Sequence, residues 1–224
     1  MRPRDVLWSS ISDVYQAIIN HPFLRELSDG KLSKDSFRDY ILQDAIYLEA
    51  FARSVAAVAV KADENEFAVL LLNVASGALT VERRSLHEFL MREWGIRPED
   101  LSSYEPNPVN RAYMDFLLYT TNSSTFNEGL AAILPCAWVY REVGRELIEK
   151  GSPVPQYQRW IETYSSPEYD RTVDSLLDLV DVKFSKLSSE ELTRLKRTFR
   201  LSTIYEYMFW DAAYRRSRWP FALT

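Results

Sequence analysis

Residues 37–59 read Phe-Arg-Asp-Tyr-Ile-Leu-Gln-Asp-Ala-Ile-Tyr-Leu-Glu-Ala-Phe-Ala-Arg-Ser-Val-Ala-Ala-Val-Ala, and this stretch decides the fold class. Its apolar residues recur every three or four positions, which is the period of one face of an α-helix. The spacing predicts a helix over about Lys34–Lys61. No alternating apolar and polar pattern of the kind typical of β-strands competes with it along the chain. We therefore expect an all-α protein.

The other apolar runs also have a helical period, and most prolines and glycines lie between them. Serines mark several helix starts, because a serine side chain can accept a hydrogen bond from the first turn. The remaining predicted helices are Arg4–Asn20, Glu64–Trp94, Val109–Thr121, Gln156–Tyr164 and Pro167–Ser185, with two more that follow Ser124 and Ser188 and end near Lys150 and Arg215.

Length, composition and charge exclude several classes of protein. The 224 residues are 46% hydrophobic, and no repeat or flexible linker divides them, so we expect a single helical domain over residues 1–224. A net charge of -5 leaves no excess of basic residues to neutralise phosphates, so no nucleic-acid partner is expected. Polar residues interrupt every run that could form a signal peptide or a membrane span. We expect a cytoplasmic protein that does not contact membranes.

The single cysteine and the two histidines limit the possible metal chemistry. Cys136 cannot form an internal disulfide, and His21 and His87 do not complete a zinc ligand set with it. Neither histidine has the glutamate three residues earlier that a di-iron helical bundle needs. The charged stretch from Glu82 to Glu88 is interpreted as a solvated or intersubunit face, and no chemistry is assigned to it. We predict no metal site.

Three polar residues lie where the helical pattern favours apolar ones. Asp44 is on the apolar face of the first long helix, where a carboxylate needs a partner or a polar cavity. Cys136 follows Pro135, which removes one helical hydrogen bond and can open space beside the thiol. Glu206 lies in Tyr205-Glu-Tyr-Met-Phe-Trp210, where desolvation favours the protonated carboxyl group. A glutamate of this kind suits a general acid and base.

Each of the three residues also has a purely structural interpretation that the sequence leaves open. Asp44 could bridge two helices, and Cys136 could be an inert buried side chain. Glu206 could form a buried ion pair with Arg53 or Arg141. Aromatic residues recur around the three positions and would suit a planar heterocycle, although core packing is their commoner use.

Several separated motifs, in the same order, resemble the TenA/thiaminase II family. The motifs are His21-Pro-Phe23 with Asp29-Gly30, Tyr40-Ile-Leu-Gln-Asp-Ala-Ile-Tyr47, Leu134-Pro-Cys-Ala-Trp-Val-Tyr-Arg-Glu-Val-Gly144, Trp160-Ile-Glu-Thr-Tyr164 and Tyr205-Glu-Tyr-Met-Phe-Trp-Asp211. The similarity around these motifs spans about Asp5 to Arg215. The resemblance implies a heme-oxygenase-like helical bundle, a homotetramer, and hydrolysis of thiamin-related pyrimidines without a metal or cofactor.

The resemblance also implies a role for each matching residue. Cys136 is expected to be the nucleophile and Glu206 the general acid and base, which places the chain in the cysteine-containing branch of the family. The expected substrate-binding residues are Asp44, Tyr47, Tyr113, Tyr140 and Tyr164. The expected reaction converts 4-amino-5-aminomethyl-2-methylpyrimidine, and thiamin as a further substrate, to the 5-hydroxymethyl pyrimidine. The alternatives are a non-catalytic pyrimidine-binding regulator and a heme-handling oxidase with His21 as axial ligand.

Overall fold

The computed structural model describes residues 2–222, apart from the side chains of residues 81–85 and 98. Over this range the chain forms helices and no β-strand, which confirms the all-α prediction. The helices are α1 (Pro3–Ser9), α2 (Ser12–Ile19), α3 (Pro22–Ser28), α4 (Lys34–Ala59), α5 (Asn65–Gly77), a π-helix (Ala78–His87), α6 (Glu88–Glu93), a 3₁₀-helix (Pro98–Ser103), α7 (Pro108–Ser123), α8 (Phe126–Ile148), α9 (Pro155–Tyr164), α10 (Pro167–Phe184) and α11 (Ser189–Arg215).

The centre of the bundle is formed by α4, α7, α8 and α11, which pack directly on one another. Helix α8 is buried on nearly every side, because α9 and α10 cover the part of its surface that the other three leave open. It remains one helix through Pro135. Of the described helices, none combines the length and apolar character needed to cross a bilayer.

Two of the predicted helix starts have the expected capping geometry. The Ser166 side chain accepts a hydrogen bond from the third residue of α10, and Ser188 forms a reciprocal capping box with Glu191 at the start of α11. These caps hold the N-terminal ends of the two helices that follow the buried α9.

The predicted cap of α8 is wrong by one residue. Ser124 ends α7 instead, and its hydroxyl donates to the Thr120 carbonyl. Thr125 caps α8, because Glu128 three residues later completes the capping box from that position.

The N-terminal region has three short helices where one was predicted. The run Arg4–Asn20 is broken after α1, where the Ser10 hydroxyl donates to the Leu7 carbonyl and competes with helix continuation. Helix α3 was not predicted, and it begins directly after His21, whose ring nitrogen Nδ1 accepts from the Phe23 amide. The three helices pack against the outer side of α11.

The predicted helix Glu64–Trp94 contains a change of helical type. Helix α5 runs into the π-helix, and α6 continues from its end. A π-helix has i→i+5 hydrogen bonds and so more residues per turn than an α-helix, and it occurs often at functional sites. The wider turn brings both Leu86 and His87 into the core, where each is at most 1% exposed. The charged residues Glu82 to Arg84 of the same predicted face lie outside the described side chains.

Candidate active site

A chain of buried oxygen atoms links α7, α8 and α11. The Tyr113 hydroxyl lies 2.6 Å from Oε1 of Glu206 and 3.1 Å from Oγ of Ser202. The Ser202 hydroxyl donates to the Ala132 carbonyl at 2.6 Å. None of these four residues is more than 1% exposed, so the Glu206 carboxyl group contacts a phenol in a water-poor core.

Cys136 borders a cavity between the helices. The cavity has a volume of about 640 Å³ and lies between α8 on one side and α5, the π-helix, α9 and α10 on the others. Phe51, Leu86 and Ala137 form part of the apolar wall of the cavity, whereas polar side chains such as Arg159 and Thr163 line other parts of the cavity. Cys136 is 8% exposed and therefore lies at the boundary of the core. The thiol can meet a small molecule that enters this space.

Asp44 meets His87, a residue that sequence reasoning placed on an exposed or intersubunit face. The placement was wrong, since His87 is fully buried and its Nε2 lies 3.1 Å from Oδ2 of Asp44. The two atoms are within ion-pair distance but are not aligned as a hydrogen bond. Nδ1 of His87 also has no hydrogen-bond partner among the side chains that the structure describes. Buried polar atoms of this kind favour a polar ligand beside them.

Aromatic rings connect the acids to the cysteine helix. Tyr47 stacks on Tyr113, with ring centroids 5.0 Å apart. The Tyr140 ring lies 4.9 Å from that of Tyr164, and its hydroxyl accepts from the Tyr40 hydroxyl at 3.1 Å. Tyr40 was not among the predicted site residues. These rings form flat walls with hydroxyl groups at their edges, which suits a planar heterocycle.

Burial and the neighbouring acids keep the phenols of this group protonated. Desolvation raises the pKa of Tyr47, Tyr113 and Tyr140 well above the usual tyrosine value, and the Glu206 carboxylate, when it is ionised, raises each of them further. Cys136 adds to the shift for Tyr47 and Tyr113. The three hydroxyl groups are therefore proton donors throughout the physiological pH range.

The structure brings the seven predicted site residues into one buried group, in which Cys136 acts electrostatically on Tyr47 and Tyr113. Cys136 lines the cavity described above and the other six do not, and the individual roles of all seven remain predictions. Tyr113 contacts Glu206, Tyr47 stacks on Tyr113, and Tyr140 contacts Tyr164 and is influenced by the charge of Asp44. The ion pairs considered for Glu206 are not formed with either candidate arginine. Arg141 binds Glu142 and Asp174, and Arg53 is exposed.

His87 and Ser202 were missed for different reasons. His87 follows a run of charged residues, and only the π-helical turn, which the sequence does not reveal, directs it inward. Ser202 is an ordinary helix residue in the sequence, and its importance depends on Tyr113 and Ala132, which lie far away in the chain.

The environment of His21 does not favour the heme-ligand interpretation. Its Nδ1 accepts from the Phe23 amide, and its Nε2 lies 3.3 Å from Oδ1 of Asp211. Both ring nitrogens therefore have protein partners, and the ring is packed between Tyr207 and Tyr214. The arrangement indicates a structural role at the start of α3.

Known proteins show similar sequences and folds. A model of the TENA/THI-4/PQQC family matches residues 8–216. An aminopyrimidine aminohydrolase of Halalkalibacterium halodurans is 31% identical over 217 residues, which cover 96% of this chain and 96% of that protein. A solved TenA homologue from P. horikoshii has a TM-score of 0.88 and 33% identity, covering 96% of this chain and 99% of its own.

A more distant structure shows the fold alone. A domain from Shewanella denitrificans, described as having a heme oxygenase-like fold, has a TM-score of 0.72 at 14% identity and covers 96% of this chain and 93% of its own. Together with the TenA homologue it confirms the predicted heme-oxygenase-like bundle.

Proposed function

The chain belongs to the TENA/THI-4/PQQC family, and from this premise we propose that it hydrolyses thiamin-related aminopyrimidines by covalent catalysis at Cys136. The observation that carries the proposal is a thiol at the edge of a cavity of about 640 Å³, within the same buried group as a phenol-bound carboxyl group. The name of the aminohydrolase relative, which this chain matches over nearly its full length, supports the reaction class.

The proposed reaction begins with addition of the Cys136 thiolate to an electron-poor carbon of the pyrimidine ring. A carbon–sulfur bond forms while Glu206 transfers its proton to a ring nitrogen, which makes the ring more electrophilic. The electron pair released into the ring then expels the substituent on the 5-methylene carbon, as ammonia from the ammonium form of the aminomethyl group, or as neutral thiazole from the thiazolium of thiamin. The carbon–nitrogen bond to the leaving group breaks in this step.

Water completes the reaction. It adds to the exposed methylene carbon and loses a proton to the released ammonia, or to solvent when the leaving group is a thiazole, and the resulting adduct eliminates the Cys136 thiolate. Glu206 recovers its proton from the ring nitrogen, and the aromatic hydroxymethylpyrimidine is released. The sum is one water consumed and one ammonium ion released, or one thiazole and one proton with thiamin, and the enzyme returns to its initial protonation state.

The surrounding residues bind and orient the ring. We assign contact with the ring amino group to Asp44, whose Oδ2 is buried and not aligned for a hydrogen bond with any described side chain. We assign stacking on the ring to Tyr47, which also stacks on Tyr113, and hydrogen bonds to the hydroxyl groups of Tyr140 and Tyr164. Tyr113 holds the acid. Such positioning keeps the reacting atoms within attack distance.

Replacement of Cys136 by serine tests the nucleophile. We expect Cys136→Ser to lower kcat by at least about a thousandfold while retaining pyrimidine binding, because a serine hydroxyl stays protonated at neutral pH where a thiol is partly ionised. The measurement is formation of hydroxymethylpyrimidine from the aminomethyl pyrimidine and, separately, from thiamin. Cys136→Ala serves as the control for the size of the side chain. Undiminished turnover in either variant would refute the assignment.

The assembly and location expected from the sequence remain predictions. A homotetramer would suit the apolar side chains of Val69 and Leu72, which are exposed on α5. A cytoplasmic location is consistent with the lack of a membrane-spanning helix among the described residues.

A further inference from the structure

The hydroxyl group of Ser202 contributes to the buried oxygen chain, but the proposed reaction assigns it no role. It is fully buried on α11, one helical turn before Glu206. The chain runs from Oε1 of Glu206 to the Tyr113 hydroxyl at 2.6 Å, to Oγ of Ser202 at 3.1 Å, and to the Ala132 carbonyl at 2.6 Å. Each neighbouring pair of oxygens is close enough to share a hydrogen atom.

The direction of each hydrogen bond follows from counting protons. A backbone carbonyl can only accept, so the bond between Ser202 and Ala132 uses the single hydroxyl proton of serine. The bond between Tyr113 and Ser202 must then use the phenol proton, which is donated instead to Glu206 when its carboxylate is ionised. If both of these bonds are present, the remaining contact with Glu206 can be a hydrogen bond only when the carboxyl group supplies the proton.

The number of hydrogen bonds in the buried oxygen chain differs between the two charge states of Glu206. With the carboxyl group protonated, all three contacts are hydrogen bonds. With the carboxylate ionised, Tyr113 turns its proton toward Glu206, and the oxygens of Tyr113 and Ser202 face each other at 3.1 Å without a hydrogen between them. A network that gives the neutral form one additional hydrogen bond disfavours ionisation of the acid.

We propose that Ser202 is a positioning residue that holds Glu206 in its protonated form before the reaction, and that the Tyr113 hydroxyl turns from Ser202 to Glu206 when the proton is delivered. The inference rests on the proposed function of Glu206 as the acid. In the transfer the carboxyl O–H bond breaks, the ring nitrogen gains the proton, and Tyr113 keeps its own hydrogen throughout. Elimination of the cysteine reverses the movement.

The phenol can act by rotation because it does not ionise. Burial raises the pKa of Tyr113 well above its ordinary value, and the charge of Glu206 adds to this effect. A neutral phenol has one hydrogen and two acceptor sites, so it can donate to either neighbour at little cost in geometry.

Other titratable groups face Glu206 from the helices packed against α11, and of these groups the tests below alter Tyr113 alone. Among the groups that interact with it electrostatically are the phenols of Tyr47 on α4, Tyr113 on α7 and Tyr140 on α8. Cys136 acts on Tyr47 and Tyr113, and Asp44 acts on Tyr140. The charged residues that α2 and the start of α3 present to α11, Asp13 and His21, bind Arg200 and Asp211.

The direct test is infrared difference titration of the Glu206 carboxyl group, with Glu206→Gln used to assign its carbonyl band. In Ser202→Ala we expect the midpoint of ionisation to fall by about one pH unit, since one hydrogen bond to the neutral form is lost. The matched control is Thr203→Val, which removes a fully buried hydroxyl from the next residue, where it bonds only to the Phe199 carbonyl of its own helix. Its midpoint is expected to equal that of the unmodified protein.

A second pair of variants distinguishes an effect transmitted through the buried oxygen chain from a general effect of the substitution on the fold. In a Tyr113→Phe background the connection between Ser202 and Glu206 is already broken, so adding Ser202→Ala is expected to leave the midpoint unchanged. A shift of the same size in both backgrounds would overturn the proposal, as would an unshifted midpoint in Ser202→Ala alone.

The pH dependence of kcat provides a second test of the same proposal. In Ser202→Ala the alkaline limb of the kcat profile is expected to move to lower pH by the same amount, with KM little changed, because the acid is lost earlier as pH rises. If the chain proves inactive on every aminopyrimidine tested, the proposed function fails while the infrared titration still decides the network. If activity is present and the titration does not shift, only the network fails.

Discussion

Asp44 and His87 are each less than 5% exposed, and their facing atoms lie 3.1 Å apart. A carboxylate in such a place is stable only with a partner, because its hydration is lost on folding. The proposed role of Asp44 in substrate binding therefore depends on a histidine that does not itself need to contact the substrate.

The losses of stability from removing the two members of this pair are not expected to be additive. We expect His87→Leu and Asp44→Asn each to lower the free energy of unfolding by about 2–4 kcal/mol, since each leaves a buried polar group without its partner. The double variant should lose less than the sum of the two. Urea denaturation of the four proteins measures the coupling, and strictly additive losses would show that the contact is not energetically important.

The sequence indicated some residues of the site and could not indicate others. Asp44 and Glu206 were recognisable because a carboxylate in an apolar helical face is an anomaly that the sequence alone displays. His87 was not, since the face it occupies depends on whether the helix is α or π. Ser202 was not recognisable from the sequence, because its hydrogen-bond partners depend on tertiary packing.

At the scale of elements, α8 is held unusually close to the end of α9. A Cβ atom on Gly144 would lie 2.7 Å from the Tyr164 carbonyl carbon and 2.9 Å from the Ser165 amide nitrogen. These are backbone atoms, which cannot move aside as a flexible side chain can. The glycine thus lets α9 place Tyr164 against Tyr140 of α8.

Substitution of Gly144 by alanine tests this approach. We expect Gly144→Ala to lower the free energy of unfolding by about 1–3 kcal/mol through overpacking, and to raise KM by displacing Tyr164. The control is Gly77→Ala at the end of α5, where no atom lies within 4 Å of the added carbon. That change is expected to stabilise the helix by about 0.5–1 kcal/mol. Equal urea midpoints for the two variants would contradict the close packing.

The central helices were predictable and the connections between them less so. The period of Phe37–Ala59 and the caps at Ser166 and Ser188 are local signals, and the corresponding helices form close to the predicted positions. The break after α1 and the start of α3 depend on competition between side-chain and backbone hydrogen bonds, which the apolar period does not register.

At the scale of the whole molecule, His21 joins the N-terminal helices to the last one. It caps α3 through Nδ1 and meets Asp211 of α11 through Nε2. Burial lowers the pKa of His21 below its ordinary value, although Asp211 acts in the opposite direction. The folded protein therefore holds this histidine neutral at pH values where the unfolded chain begins to take up a proton.

The sign of the pH effect follows from that difference. Stability from His21 is present above the ordinary histidine pKa and is lost as pH falls through the lower folded value, so urea midpoints should decrease between about pH 7.5 and about pH 5.5. In His21→Asn, which can still cap α3, the decrease is expected to be smaller. Asp13→Asn is the control, since pairing with Arg200 lowers the pKa of Asp13 to about 2, outside this window. An unchanged slope in His21→Asn would assign the effect to another group.

The bond between Ser202 and the Ala132 carbonyl joins the helix of the proposed acid to the helix of the proposed nucleophile. Glu206 lies four residues after Ser202, and Cys136 four residues after Ala132, so each of the two groups is one turn from the same fixed point. If the two residues have the proposed roles, the relative position of acid and sulfur is established during folding and does not have to be created by the substrate. Such preorganisation would reduce the reorganisation energy of each turnover, and the cost of ordering these groups would then be part of the free energy of folding.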